Sequence, residues 1–461
     1  MERRSIDFVP ESERHGRLVH QGQFWFLSNF QFFVIAIGFV GPSLGLSLGW
    51  TIVAGTSGIL IGTTFQAFHA AQGPRMGLPQ MIQSRAQFGY RGVIVPLLAN
   101  LVSLVGYNLV ATILIAQGAQ AMWGLDRAFT ATAISALAAG VAIFGHDHVH
   151  AMFRLMFWIG LPLFLVLSGA ILLGHAGGAP HGTGGFNLPA FATQLASAAS
   201  FNITGAPYVS DYTRYLPQET KRGAVILSVF AGSGGAAIWL IALGGWLATH
   251  MGVADGLVAL RTAGDHLVGG LGSALAAASI GALVATMAMS AYSAMLTAFT
   301  MVDSLRPLVP GPMAKGAMIL AMAAGWTAAA LSLGGNAVTW VNAMLIVILY
   351  SLAPWTAVNL IDYFILRRGR YILSDLFTPR GVYGAWGARG LTAYGVGFLA
   401  SLPFFVAPNV YVAPLARQLG GVDIGWLVSL ATSGLAYLAL SIGFQAGAET
   451  DRVGASGSPR L

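Results

Sequence analysis

The sequence predicts an all-α polytopic membrane protein, ten transmembrane helices followed by a final pair, and three observations carry that expectation. Hydrophobic residues make up 56% of the 461 residues and charged residues only 8%, too little charge to cover a soluble chain of this length. The charges fall in short gaps between twelve apolar stretches, most of them long enough to cross a ~30 Å hydrocarbon core as helix. The basic residues also keep to one side. With a cytoplasmic N-terminus, the inner segments hold Arg3, Arg4, Arg14, Arg17; Arg75, Arg85, Arg91; Arg154; Arg214, Lys221, Arg222; Arg306, Lys315; Arg367, Arg368, Arg370, Arg380, Arg389; and Arg452, Arg460. The outer segments keep Arg127, Arg261 and Arg417, so twenty of 23 lie inside. That is the positive-inside pattern for an even span count with both termini in the cytoplasm. Helices are required because unpaired backbone groups are too costly in lipid, and the alternating ten-residue strands of a barrel are absent.

In chain order, residues 1–23 form a polar cytoplasmic segment carrying both charge signs. No small-residue cleavage site follows the first span, so that span is expected to stay in the protein. The spans fall at roughly 24–48, 50–72, 93–121, 128–146, 152–174, 189–209, 223–248, 271–300, 315–333, 336–362, 391–411 and 423–445. The first ten make a core, 24–362, divisible into a repeat of about 24–174 and a second of about 189–362. Five-span repeats must invert, because the second begins on the opposite side. A polar cytoplasmic loop, 363–390, separates this core from the last two helices within 391–445, and 446–461 form a cytoplasmic tail. Gly41, Gly45 and Gly49 at span one, with Gly58 and Gly62 in span two, are spaced for close helix packing.

Two spans carry signs of a break. In span six, Asn202-Ile203-Thr204-Gly205-Ala206-Pro207-Tyr208 sets Gly and Pro inside an apolar stretch, where neither favours continuous helix. Breaks at membrane depth are tolerated where they face protein or a cavity, and transporter sites are built from them. In span one, Asn29-Phe30-Gln31 is the matching break, unmarked by proline. Ionisable groups are scarce at depth: Asp211, Asp303 and Asp362 sit at inner ends, and His69 near the inner end of span two. The interior polarity is amide and hydroxyl: Asn29, Gln31, Asn108, Thr112, Gln117, Asn202, Thr204, Thr286 and Ser290. These suit a small, neutral, flat ligand, or they tie helices together.

Several function classes are excluded or disfavoured. Zero cysteines remove disulfides, thiolate metal sites and cysteine nucleophiles. The net charge of +7 is spread over separate inner segments, which suits anionic lipid and not nucleic acid. No obligate protein partner is evident. A membrane-embedded enzyme would need a catalytic pair at depth, and the best cluster, His146-Asp147-His148 with His150, is expected in an inner loop. No filter-like sequence suggests a channel.

Several stretches together resemble one family. They are Trp25-Phe26-Leu27-Ser28-Asn29; Gly73-Pro74 with Gly77-Leu78-Pro79-Gln80-Met81; and Ser84-Arg85-Ala86-Gln87-Phe88-Gly89. The most specific is Pro207-Tyr208-Val209-Ser210-Asp211-Tyr212-Thr213-Arg214-Tyr215-Leu216-Pro217. Ala291-Tyr292-Ser293-Ala294, Asp375-Leu376-Phe377 and Tyr383-Gly384-Ala385-Trp386 agree. Over most of its length the chain resembles the nucleobase–cation symporter family that includes purine–cytosine permeases. The resemblance implies a leucine-transporter-like fold of two inverted five-helix repeats plus two helices. It implies a secondary transporter in the plasma membrane (the inner membrane of a bacterium), without a cofactor, taking up a nucleobase or related neutral heterocycle with sodium or, alternatively, protons. In that family two aromatic side chains sandwich the ring and amides read its edge. Tyr107 matches the aromatic of span three and Gln117 the glutamine further along it; Asn29, Gln31, Asn108 and Thr204 join them as candidates. The span-six tryptophan falls on Gly205 and the span-eight asparagine on Ser290. Either a bulkier ligand fills that vacated face or the substrate is not a usual purine or pyrimidine, with Phe201 or Tyr208 as alternative partners; a vitamin-like heterocycle is the runner-up. For the cation, the resemblance points to Phe30 in the span-one break and to Ala282, Ala285 and Thr286 in span eight.

Overall fold

The structure is a computed structural model describing residues 7–181, 184–306, 308, 311–333, 337–407 and 410–443, except the side chains of His146 and Asp147. The tail from 446 onward, with Arg452 and Arg460, and residues 1–6, with Arg3 and Arg4, lie outside the described residues. Among those described, eight helices are long and apolar enough to cross a membrane. They fall at the second to fifth and seventh to tenth expected spans, and the ordinal names are kept for them: Leu48–Met76, Ile94–Trp123, Arg127–Phe144, His148–Leu172, Arg222–His250, Leu271–Leu305, Pro312–Ser332 and Ala337–Leu366. The first span is a ninth, a pair of helices, Leu18–Asn29 and Phe32–Ser43, bent by 59°. The remaining three expected spans coincide with shorter helices: Leu188–Ile203 continued by Val209–Thr213, then Ala388–Ser401, then Gly425–Leu440. Large apolar side chains such as Phe144, Trp158, Leu172, Leu227 and Leu435 are strongly exposed on the outside of the bundle. A helical bundle with an apolar exterior fits a lipid surround.

Both expected breaks are present. At the first, Phe30 leaves helical geometry (φ −85°, ψ 70°) and Gln31 is extended. The second half-helix starts because the Gln31 side-chain oxygen accepts the Phe33 N–H at 2.7 Å, standing in for the missing backbone carbonyl. In span six the α-helix stops at Ile203, a 3₁₀ turn covers Ala206–Tyr208, and Val209–Thr213 resumes. Pro207 supplies no N–H to the interrupted ladder.

Spans two and six touch backbone to backbone. A Cβ on Gly58 would lie 2.2 Å from the Leu195 carbonyl oxygen, and one on Gly62 would lie 2.2 Å from that of Ala199. The glycines of span one divide differently. Gly41 packs against Thr51, but the helix ends at Ser43, Gly45 turns the chain at φ +82°, and neither Gly45 nor Gly49 has a neighbour there. Two further expectations are corrected. The His146–His150 stretch is the first turn of span five and not a loop: Gly145 (φ +94°) turns the chain, and the helix begins at His146. The connection after span seven contains a helix, Gly256–Leu267, capped by the Asp255 carboxylate on the Leu257 and Val258 N–H groups at 2.9 and 3.0 Å.

Most stretches that carry the family resemblance meet at the end of the bundle bearing the N-terminus. Gly89, Gly387 and Gly390 allow the backbones there to interlock: Tyr90 N–H donates to the Gly384 carbonyl at 2.9 Å and Gly387 N–H to that of Phe88 at 2.7 Å. Arg85, buried, pairs with Asp303 at 2.9 Å and donates to the Leu376 carbonyl at 3.2 Å. Asp362 accepts from Gln87 at 2.7 Å, Tyr371 at 2.8 Å and Tyr437 at 2.9 Å and pairs with Arg367. Each of these buried cations is thus paired with a carboxylate, as burial demands, and this end is closed by a polar knot.

Candidate functional site

The two breaks face one cavity of about 30 Å³, room for one or two waters and far less than a purine. Its wall takes Ser28 and Asn29 from span one, Gln66 from span two, and Ser103, Leu104 and Tyr107 from span three. Span six supplies Phe201, Asn202, Thr204, Gly205 and Tyr208, and span eight Thr286, Met289 and Ser290. The site is therefore closed, and a ring-sized ligand enters only when side chains move.

A buried hydrogen-bond chain orders the polar wall. Asn29 Nδ2 donates to Asn202 Oδ1 at 2.7 Å and to the Ser233 backbone oxygen and hydroxyl, both at 3.0 Å. Asn202 Nδ2 donates to Thr63 Oγ1 at 2.6 Å, and Thr63 donates to the Ile59 carbonyl at 2.5 Å. Ser233 donates to Gln66 Oε1 at 2.8 Å. Backbone carbonyls can only accept, so the amide orientations are set from both ends of this chain. Asn29 spends its N–H groups on the protein and keeps Oδ1 to accept.

The aromatic wall is a stack. Phe33 lies between Tyr107, with centroids 4.6 Å apart and planes at 26°, and Phe201, 6.1 Å away. One face of Tyr107 is thus already covered. Among the described residues its buried hydroxyl has no partner of hydrogen-bonding geometry, although Thr286 lies beside it. A buried orphan hydroxyl costs stability unless something else satisfies it. Tyr208, the other aromatic of the wall, stacks on Trp25 at 6.1 Å.

Six expected site residues, Asn29, Tyr107, Thr204, Gly205, Thr286 and Ser290, line this cavity. Gln31 does not; with Phe30 and Ala282 it borders a separate space of about 10 Å³ between spans one, five, seven and eight. Asn108 stands behind the wall, donating to the Met287 carbonyl at 3.1 Å with Oδ1 unpartnered. Ala285 is fully buried and borders neither. Gln117 lines a third cavity of about 400 Å³ at the opposite end of the bundle, with Gln120, Arg127 and Asp255. Burial there pushes the Asp255 carboxyl up, against the pull of its two backbone N–H bonds. The face expected to be vacant at Gly205 is filled. A Cβ on Gly205 would stand 2.3 Å from Gln66 Nε2, so the amide of span two occupies the space. Sequence reasoning missed Gln66, Ser103 and Met289; the signal for the first was a lone amide inside an apolar span.

For a cation, the space beside Phe30, Ser279 and Ala282 is about one water in size. Among the described residues the Phe30 carbonyl accepts no backbone hydrogen bond, and that of Ala282 accepts from Thr286 at 3.1 Å. Gln31 Nε2 is an unpartnered donor at the same place, which opposes a cation unless the amide turns away. Among the described residues no three His, Cys, Asp or Glu side chains could hold a metal together.

Residues 8–429 match the family model of permeases for cytosine/purines, uracil, thiamine and allantoin. The chain belongs to this family. It is 32% identical over 446 residues to a putative purine-cytosine permease, YxlA, of Bacillus subtilis, covering 95% of this chain and 96% of that one. It is 25% identical to the purine-cytosine permease fcyB of Emericella nidulans, over 95% and 88% of the two chains. Among solved structures it resembles Mhp1, a nucleobase-cation-symport-1 family transporter, in a closed conformation with bromovinylhydantoin bound (TM-score 0.72, 17% identity, 96% of each chain). The inward-facing conformation of Mhp1 matches with TM-score 0.73 over 97% of each chain. The fold is the leucine-transporter-like one, two inverted five-helix repeats plus two helices, and the family is one of transporters, not enzymes.

Proposed function

We propose that this permease is a secondary transporter that takes up a nucleobase or closely related flat, neutral heterocycle together with a cation, by alternating access at the cavity between the two breaks. The observation that carries this reading is the cavity itself: an aromatic stack on one side, oriented amides on the other, and no charged group in its wall. Such a wall recognises a neutral ring by stacking and hydrogen bonding. The orientation we propose has twelve spans in the plasma membrane with both termini inside, so that the polar knot closes the cytoplasmic end. Sodium is the preferred coupling ion, because the water-sized space near Phe30 offers oxygens without fixed charge. The proton alternative would act through His69, buried against Trp355 at 4.6 Å and, among the described residues, with Nε2 unpartnered. A carrier for a bulkier, vitamin-like ring rested on free space at Gly205, which Gln66 occupies.

The test is uptake of radiolabelled hypoxanthine, uracil and cytosine into proteoliposomes under a sodium gradient or a pH gradient. Accumulation above protein-free liposomes that follows the sodium gradient is expected. Accumulation that follows only the pH gradient, and is lost in His69→Ala, would reverse the assignment of the ion. No accumulation of any of the three would overturn the substrate class.

A further inference from the structure

We propose that Gln66 of span two is a specificity-determining residue of this site: its Nε2 donates to a ring carbonyl while Asn29 Oδ1 accepts a ring N–H, so the pocket selects a lactam edge, –NH–C(=O)–. The inference rests on the proposed cavity and deepens it. Three observations carry it. Gln66 is almost fully buried, yet it lines the cavity, and among the described residues its one hydrogen-bond partner is Ser233, which donates to Oε1 at 2.8 Å. Ser233 in turn accepts from Asn29 Nδ2 at 3.0 Å, so both amides are turned by one serine, the first with its donor free and the second with its acceptor free. Gly205 has no side chain to cover that donor; any Cβ there would come within 2.3 Å of it. A donor and an acceptor held in one wall fit a ligand edge presenting the reverse pair. A neutral ring with acceptors only leaves the Asn29 oxygen unpaired in a dry site, and an amidine edge offers Gln66 a ring nitrogen recessed behind the reach of an exocyclic oxygen; that mismatch is what discriminates.

The experiment measures binding to the purified full-length protein by isothermal titration with hypoxanthine and uracil, which carry a lactam, and with unsubstituted purine, which does not. The wild type is expected to prefer hypoxanthine over purine. In Gln66→Ala the affinity for hypoxanthine and uracil should fall about tenfold while that for purine changes less than twofold, collapsing the preference. Gly205→Ala, which leaves Gln66 in the sequence but displaces its amide, should collapse the preference in the same way and covers the case in which Gln66→Ala fails to fold. An undiminished preference for hypoxanthine in either folded variant would overturn the assignment. A wild type that binds all three rings without preference would overturn the lactam edge but leave the proposed substrate class standing. A wild type that binds none would overturn both.

Discussion

At the scale of single residues, the site is built from groups left deliberately short of partners. Among the described residues Tyr107 has a buried hydroxyl without a partner, and Asn29 and Gln66 line the cavity with hydrogen bonds made through Nδ2 and Oε1 respectively. Most other buried polar side chains in the same layer are committed to neighbours. Such an arrangement sacrifices stability for recognition. Tyr107→Phe separates the two, because it removes only the oxygen. The variant should unfold at higher temperature in detergent, by about 1 kcal/mol of added stability, and bind its ring ligand severalfold more weakly. A thermal scan and a titration on the same sample read both; lower stability would mean that the hydroxyl is satisfied after all. Tyr107, Gly205 and Ser290, which line the cavity, were legible as candidates because they sit in motifs. Gln66 was not, since one amide in an apolar helix looks the same whether it ties two helices or faces a ligand. Only its neighbours in space decide between those roles, and Ser233, Gly205 and Asn29 are far from it in the chain.

At the scale of elements, hydropathy located the long helices because lipid demands uninterrupted apolar length. The break in span six was legible from Gly205 and Pro207. That in span one was legible from two amides, although what makes it is Gln31 capping the second half-helix. The helix Gly256–Leu267 was missed: Arg261, Asp265 and His266 rule it out as a span, and its buried face, Leu257, Leu260, Ala263 and Gly264, shows only at helical spacing. Glycine spacing overstated packing in span one and located it in span two. Two substitutions measure that difference. Gly62→Ala places a Cβ 2.2 Å from the Ala199 oxygen and must part spans two and six, which should cost about 2 kcal/mol of stability. Gly49→Ala meets nothing within 4 Å and should be neutral or stabilising by about 0.5–1 kcal/mol. Equal unfolding temperatures for the two variants would contradict the close approach of these helices.

At the scale of the whole molecule, the basic residues and the polar knot point the same way. The segments rich in arginine are those that assemble the closed end, where Arg85 and Arg367 are buried against carboxylates. Charge counts alone suggest the proposed orientation; the knot was not legible in them, because its partners come from segments hundreds of residues apart. In intact cells a Gly269→Cys variant, exposed near the end opposite the N-terminus, should react with an impermeant maleimide, and Gly223→Cys should react only after permeabilisation. The reverse pattern would invert the topology.

The central claim is that one closed cavity between two broken helices carries a ring across the membrane by opening to each side in turn. Counterflow tests it most directly. Proteoliposomes are preloaded with unlabelled hypoxanthine, diluted without any ion gradient into trace labelled hypoxanthine, and followed over time. A carrier of this kind predicts a transient accumulation of label above equilibrium in the wild type and its loss in Tyr107→Ala reconstituted to the same density. Label that only equilibrates in the wild type, or an overshoot unchanged in Tyr107→Ala, would contradict the account.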